Sequence, residues 1–307
     1  MAIIVSQQAA LTWSPGAAPE ARSPFCNKAG CIIRDCQLGV RGAVASSPEI
    51  FRPAGQQQTR LAAIDQTSRR AYPELEFGGF TRIDGTVAFA IRVQALLGSS
   101  KVVIDLGCGR GARCEDPCAL RVQLQDLRGP ARHVIGLDQD VAAAVNPYVD
   151  EFRVIEDGRS WPLGAGEADF VFCDYVLEHV RDTATFFGEL ARILRPGGYA
   201  CFRTPNRWGY PALTAQLIPS RWHAKATCYA QRDRRAVDVF PTFYRCNTRS
   251  RLKRLLHENG FDACVYANEA EPGYLAFSAP LFRLGTYVHA LLPPALKSTL
   301  LAFARRR

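Results

Sequence analysis

Asp105 is followed by Gly107, Gly109 and Gly111, three glycines at every second position, directly after the apolar run Val102-Val103-Ile104. A short buried strand that ends in a carboxylate and then breaks into bare backbone makes a tight turn that a ligand can approach closely. Such a turn, opening toward a helix, suits a cofactor carrying a nucleoside. The carboxylate narrows the choice: Asp105 repels a phosphate and attracts a cation. A second carboxylate, Asp138, ends the run Val134-Ile135-Gly136-Leu137. At the end of a buried strand it can accept two charge-assisted hydrogen bonds from a ribose, or it can cap the segment from Gln139 onward.

A dinucleotide fingerprint needs G-x-G-x-x-G, with the helix N-terminus on a pyrophosphate. Here the glycines are spaced more closely and Ala112 stands at the third-glycine place. Asp105 through Gly111 resembles instead the first motif, D-x-G-x-G-x-G, of the class I S-adenosylmethionine-dependent methyltransferases. The resemblance to that superfamily covers Lys101 to about Asn206, and from about Asp84 onward the chain is similar to a bacterial, methyltransferase type 11-like group within it. It implies that S-adenosylmethionine is the cofactor, with its methionine part on Asp105, Gly107, Cys108, Gly109 and Gly111. It also implies that Asp138 and Gln139 lie at the ribose. Asp157 and Gly158 come near the adenine, beside Trp161-Pro162-Leu163, although Asp157-Gly158 also reads as an ordinary turn. Phe170 through Val180 resembles the fourth-strand motif with its Leu-Glu-His-Val, which puts Cys173, Asp174 and Tyr175 against the cofactor and Glu178 and His179 near the pocket mouth. His179 is a candidate general base with Glu178 beside it; a single histidine at a helix start also serves structural roles. Asn206, Arg207, Trp208, Tyr210 and Tyr244 are candidate lid residues with equal claim to packing roles.

The elements that must carry these residues follow from periodicity. Apolar positions at helical spacing run from Thr81 to Leu97, from Asp182 to Leu194 and from Thr248 to Asn259. Strands are expected at Val102–Leu106, His133–Leu137, Phe152–Ile155, Asp169–Cys173, Tyr199–Arg203, Ala263–Ala267 and Tyr274–Phe277. A long arginine- and glutamine-rich helix should reach Leu127-Arg128-Gly129. Alternation of strand and helix predicts an α/β fold, a Rossmann-like, doubly wound, mostly parallel seven-stranded sheet with ligands at the strands' carboxyl ends.

With 307 residues, 48% of them hydrophobic, the chain can bury a large core. Residues 1–60, rich in Pro, Gly and Gln, read as a low-complexity, disordered segment. A methyltransferase domain is expected over 61–280, with a cofactor-binding core at 101–206 and an insertion at 207–247. Residues 281–307 form an apolar, basic tail that either packs back on the domain or contacts a membrane surface peripherally. No run approaches the ~20 apolar residues of a spanning helix. Ile3-Ile4-Val5 is too short for a secretory signal, so the expected location is cytoplasmic. The eleven cysteines are scattered without paired metal-ligand spacing, so no metal site is expected and the cysteines read as reduced thiols.

The net charge of +9 comes without a basic cluster interleaved with aromatics, and no base-flipping tetrad is present, so nucleic acid is not the expected partner. The functional expectation is methyl transfer from S-adenosylmethionine to oxygen or nitrogen of a small-molecule acceptor. Its alternatives are a catalytically silent S-adenosylmethionine-binding module and an NAD(P)-dependent oxidoreductase.

Overall fold

The computed structural model describes residues 66–217, 241–276 and 278–307. The predicted low-complexity segment and the middle of the predicted insertion lie outside those residues. Seven strands form one sheet: β1 (Val102–Leu106), β2 (His133–Asp138), β3 (Glu151–Val154), β4 (Ala168–Asp174), β5 (Leu194–Pro205), β6 (Phe261–Asn268) and β7 (Thr299–Arg306). Their order is β3-β2-β1-β4-β5-β7-β6. The first five run parallel, whereas β7 is antiparallel to both β5 and β6.

Strand residues alternate between two buried layers, as a sheet covered on both faces requires. Ile104, Leu106, Ile135, Leu137 and Val171 face one layer, closed by Phe187, Leu190 and Ile193 of α3 (Thr183–Ile193) and by Leu252, Leu255 and Leu256 of α5 (Arg249–Glu258). Val103, Val134, Phe170 and Phe172 face the other, closed by Phe89, Val93 and Leu97 of α1 (Gly85–Leu97). The helices begin where a side chain can satisfy the first main-chain donors. Asp84 accepts from Thr86 and Val87 N–H at 2.9 Å each, and Asp182 accepts from Ala184 and Thr185 N–H at 3.1 Å. Two further helices are α2 (Ala119–Gln125), which packs on α1, and α4 (Tyr210–Leu217), which follows β5.

Two expectations need correction. The arginine- and glutamine-rich helix is short: α2 stops at Gln125, because the chain turns there to bury Leu127 completely against the α1 side of the sheet. The last strand is not Tyr274–Phe277. Gly273–Leu275 is a single 3-10 turn, followed by α6 (Ala279–Leu291). The final strand is Thr299–Arg306, inside what reads in the sequence as a tail. Leu300, Leu301, Ala302 and Ala304 are buried there, on a strand that pairs with β5 along one edge and β6 along the other.

The strand order reverses between β1 and β4. In open α/β sheets the crevice at that switch, outside the carboxyl ends, is where ligands bind.

Candidate active site

Gly107, Gly109 and Gly111 all have positive φ, at +71°, +53° and +77°, which explains three glycines in five positions. They serve different ends. A Cβ at Gly107 would come within 2.3 Å of Val176, and one at Gly111 within 2.8 Å of Asn146 and Pro147, so these two are required by packing. A Cβ at Gly109 would meet nothing within 4 Å. Gly109 alone presents bare backbone to open space at the switch point. Cys108 between them is buried, its carbonyl accepting from Asn146 Nδ2 at 2.8 Å, and burial pushes its thiol up to about 12.

Asp138 fixes this turn. One carboxylate oxygen accepts the Gly109 N–H and the other the Asp140 N–H, each at 2.9 Å. A carboxylate has about four lone-pair sites, so roughly two remain for a ligand. The cap of the following 3-10 turn is Asp140, which accepts from Ala142 N–H, so Asp138 is not needed for that task. Gln139 is exposed, and its Nε2 would lie 3.0 Å from a Cβ at Gly158 (φ +65°), which brings the expected ribose and adenine residues side by side. Asp157 is exposed and holds the same turn by accepting from Arg159 and Ser160 N–H at 2.8 and 2.9 Å.

Asp105 is buried and makes a direct ion pair with Arg113. Burial pushes its carboxyl up against the pull of that guanidinium, and Asp174 and Asp138 add to the upward push. Arg113 also donates to the Gln125 carbonyl at 2.5 Å and lies over the rings of Tyr148 and Phe172. The expectation that Asp105 is free to meet a cationic ligand is therefore incomplete, since an internal arginine already occupies it. Nothing in the sequence pattern marked Arg113 for that position.

The end of β4 carries a second unforeseen arginine. Cys173 is fully buried in the core, so its side chain meets only protein. Asp174 forms a two-pronged pair with Arg203 of β5, Nε and Nη2 each 2.6 Å from a carboxylate oxygen. Arg203 also donates to Thr86 Oγ1 at 2.7 Å and sits 4.9 Å below the ring of Tyr175. Tyr175 adopts φ +55°, a conformation costly for a bulky residue, and its N–H donates to the Arg203 carbonyl at 2.8 Å. Backbone outliers of this kind cost about 1–3 kcal/mol and persist where surrounding contacts fix them, as the Arg203 carbonyl does here. The sequence did hold one signal for Arg203: an arginine inside the apolar strand Ala200-Cys201-Phe202-Arg203.

Glu178 is buried just beyond, with Thr204 Oγ1 donating to it at 3.0 Å and Asn247 Nδ2 donating to Thr204 Oγ1 at 2.6 Å. Its own carbonyl accepts the N–H groups of Phe243 and Tyr244, and Tyr244 is the other described non-glycine residue with positive φ. His179 Nδ1 lies 2.8 Å from the Pro241 carbonyl. A carbonyl can only accept, so Nδ1 carries the proton. Nε2 lies 4.0 Å from a Glu178 carboxylate oxygen. Asn206, a candidate lid residue, instead anchors the connection ahead of β7 by donating to the Ala295 and Lys297 carbonyls.

Residues 81–265 match the profile of the methyltransferase domain family. The chain belongs to this family. Its sheet order agrees with the Rossmann-like, mostly parallel fold expected from the sequence. Over 135 residues the chain is 31% identical to trans-aconitate 2-methyltransferase of Azoarcus sp. (strain BH72), which covers 42% of this chain and 49% of that protein. Over another 135-residue alignment it is 32% identical to ubiquinone biosynthesis O-methyltransferase of Rhodopseudomonas palustris, covering 41% and 49%. The chain thus spans about half the length of these curated relatives. Among solved structures it is similar to geranyl diphosphate C-methyltransferase of Streptomyces coelicolor A3(2), at 17% identity and a TM-score of 0.45, over 72% of this chain and 79% of that one.

Two features of this turn bear on the nucleoside-bearing cofactor expected from the sequence. A Cβ at Gly109 would project into open space beside the turn rather than into protein. Asp105, Asp138 and Asp174 gather at the carboxyl ends of β1, β2 and β4, and Arg113 and Arg203 already pair with Asp105 and Asp174, which leaves Asp138 as the carboxylate without a guanidinium partner among the described residues.

Proposed function

We propose that this methyltransferase alkylates oxygen or nitrogen of a small-molecule acceptor held beyond the carboxyl ends of β4 and β5. The single observation that carries the reading is Gly109, whose N–H is held by Asp138 while its α-carbon faces open space. Gly107, Gly109 and Gly111 seat the methionine part, Asp138 and Gln139 the ribose, and the Asp157-Gly158 turn the adenine edge. S-adenosylmethionine supplies an already electrophilic methyl group. The chain's task is therefore alignment, which is worth about 7–11 kcal/mol of barrier when two partners are held in line.

Asp174 and Arg203 fix the Tyr175 ring at the rim between cofactor and acceptor. For a hydroxyl acceptor a proton must leave. His179 suits that role: Nδ1–H is anchored on the Pro241 carbonyl, so Nε2 carries the lone pair that takes the proton. The Glu178 carboxylate, 4.0 Å from Nε2, favours the resulting imidazolium. An amine acceptor that binds neutral needs no such base. The O-methyltransferase name borne by the Rhodopseudomonas relative supports oxygen.

The test is a pair of measurements on the purified protein. Calorimetry with S-adenosylhomocysteine should give binding that falls at least about tenfold in Asp138→Ala, because two charge-assisted bonds and the loop anchor go together. Methyl-labelled cofactor is then offered with pools of phenols, carboxylic acids and amines, and label should move to an extractable small product. Binding without transfer to any pool would leave only a binding module, and no binding at all would end the reading.

A further inference from the structure

One surface is left unexplained by methyl transfer. The inner face of α6 is firmly docked. Phe282 meets the Tyr72 ring edge-on at 6.1 Å, and His289 Nδ1 lies 3.0 Å from the Ala270 carbonyl. A Cβ on Gly285 would come within 2.7 Å of Leu275. The outer face is therefore held in a fixed orientation, and it is apolar. Leu281, Leu284, Val288 and Leu291 recur at three- and four-residue spacing with Tyr287 beside them, and Leu284, Tyr287 and Leu291 are 59, 72 and 85% exposed. Water-facing helices normally carry polar residues there.

We propose that this face of α6 seats the protein on an anionic lipid surface, with Leu284 and Leu291 among the acyl chains. Charge selects this occupant. Arg283 is the one charged residue on α6, and no Asp or Glu occurs anywhere from Pro272 to Arg307. Lys297 follows the helix. Arg207 lies 5.8 Å from the ring of Trp208, in the segment that Asn206 ties to the same connection. Trp208 is half exposed, and with Tyr287 it supplies the amphipathic rings favoured at a bilayer interface. A second copy docked through a twofold axis would bring Arg283 and Lys297 toward their own copies, with no carboxylate on α6 or the connection after it to pair them, which costs affinity. At thirteen residues α6 spans about 20 Å along its axis, too short to cross a bilayer and suited to lying in its surface. Because Asn206 and β5 connect to the same corner, the site mouth sits beside the lipid.

The full chain should float with vesicles of phosphatidylcholine containing phosphatidylglycerol, about tenfold more tightly than with phosphatidylcholine alone, and high salt should erase the difference. The doubly substituted L284E/L291E protein should bind at least about tenfold more weakly. Its melting temperature and S-adenosylhomocysteine binding should stay unchanged, since both positions face outward. Failure to bind either vesicle at low salt would overturn the proposal, as would equal binding to both or unchanged binding by the double variant. A mass that rises with protein concentration and falls to monomer in the double variant would show that a second copy covers the face, and would also overturn it.

Discussion

Asp174 and Arg203 meet side-on across β4 and β5, with Nε and Nη2 each 2.6 Å from a carboxylate oxygen and Nη1 on Thr86 Oγ1. A guanidinium this deep in the protein is tolerated because its donors are matched to a carboxylate fork and a hydroxyl. Its main-chain carbonyl also receives the N–H of strained Tyr175. One residue therefore ties α1, the sheet and the binding rim together.

Removing half of this pair leaves the other charge buried. Arg203→Met should cost about 3–5 kcal/mol of stability, read from urea unfolding, and Asp174→Asn a similar order. The double variant R203M/D174L should recover much of that loss while cofactor binding stays weak, because Tyr175 loses its support.

The glycines should separate by role. Gly107→Ala places a methyl 2.3 Å from Val176 and should cost about 2–3 kcal/mol in thermal or urea unfolding. Gly109→Ala meets no protein atom and should cost about 1 kcal/mol, from its positive φ. Its loss should appear in S-adenosylhomocysteine affinity instead, at about tenfold or more by calorimetry.

His179→Gln should lower kcat at least about a hundredfold for a hydroxyl acceptor while leaving cofactor binding intact. The same variant should retain transfer to a neutral amine. Equal loss for both acceptor types would assign His179 a structural role.

Acid stability should depend on Arg121, which joins Asp116 to the α1 cap Asp84. Burial alone would raise the Asp116 carboxyl, but the Arg121 guanidinium and the Cys118 N–H outweigh it and hold the group below its ordinary 3.8. A carboxylate lowered on folding stabilises above its unfolded value, and that contribution is lost as pH falls through the folded value. Arg121→Gln should thus cost about 2 kcal/mol at neutral pH. It should also flatten the stability-against-pH curve between about pH 5 and pH 2, measured by urea midpoints.

The parallel half of the sheet was legible because β1, β2 and β4 each carry a mostly apolar run that ends at a turn or a carboxylate, whereas the short β3, Glu151-Phe152-Arg153-Val154, is mixed. Asp105 and Asp138 were legible as positions and not as partners. Sequence spacing puts a carboxylate at a strand end but does not reveal that Arg113, eight residues on, folds back to meet it. Cys173 illustrates the same limit, since a motif position next to a rim residue can point inward by strand alternation. The last strand was hidden by its composition. Leu300 to Ala304 followed by three arginines looks like a basic tail unless a gap between β5 and β6 is known to need filling. The Glu178, Thr204 and Asn247 network was hidden too, because its members lie 26 and 43 residues apart in the chain.

Position in the sheet also sets an order of assembly. β6 leaves the ribosome before β7 yet lies outside it, paired to nothing else in the sheet. Until α6 and its flanking turns have been made, β5 and β6 both lack the strand that each pairs with in the finished sheet. Only when the later strand slides between them do both gain their partners. Closure is thus a long-range event, slow by topology, and in the interval the apolar edge of β5 is exposed to chaperones or to neighbouring chains.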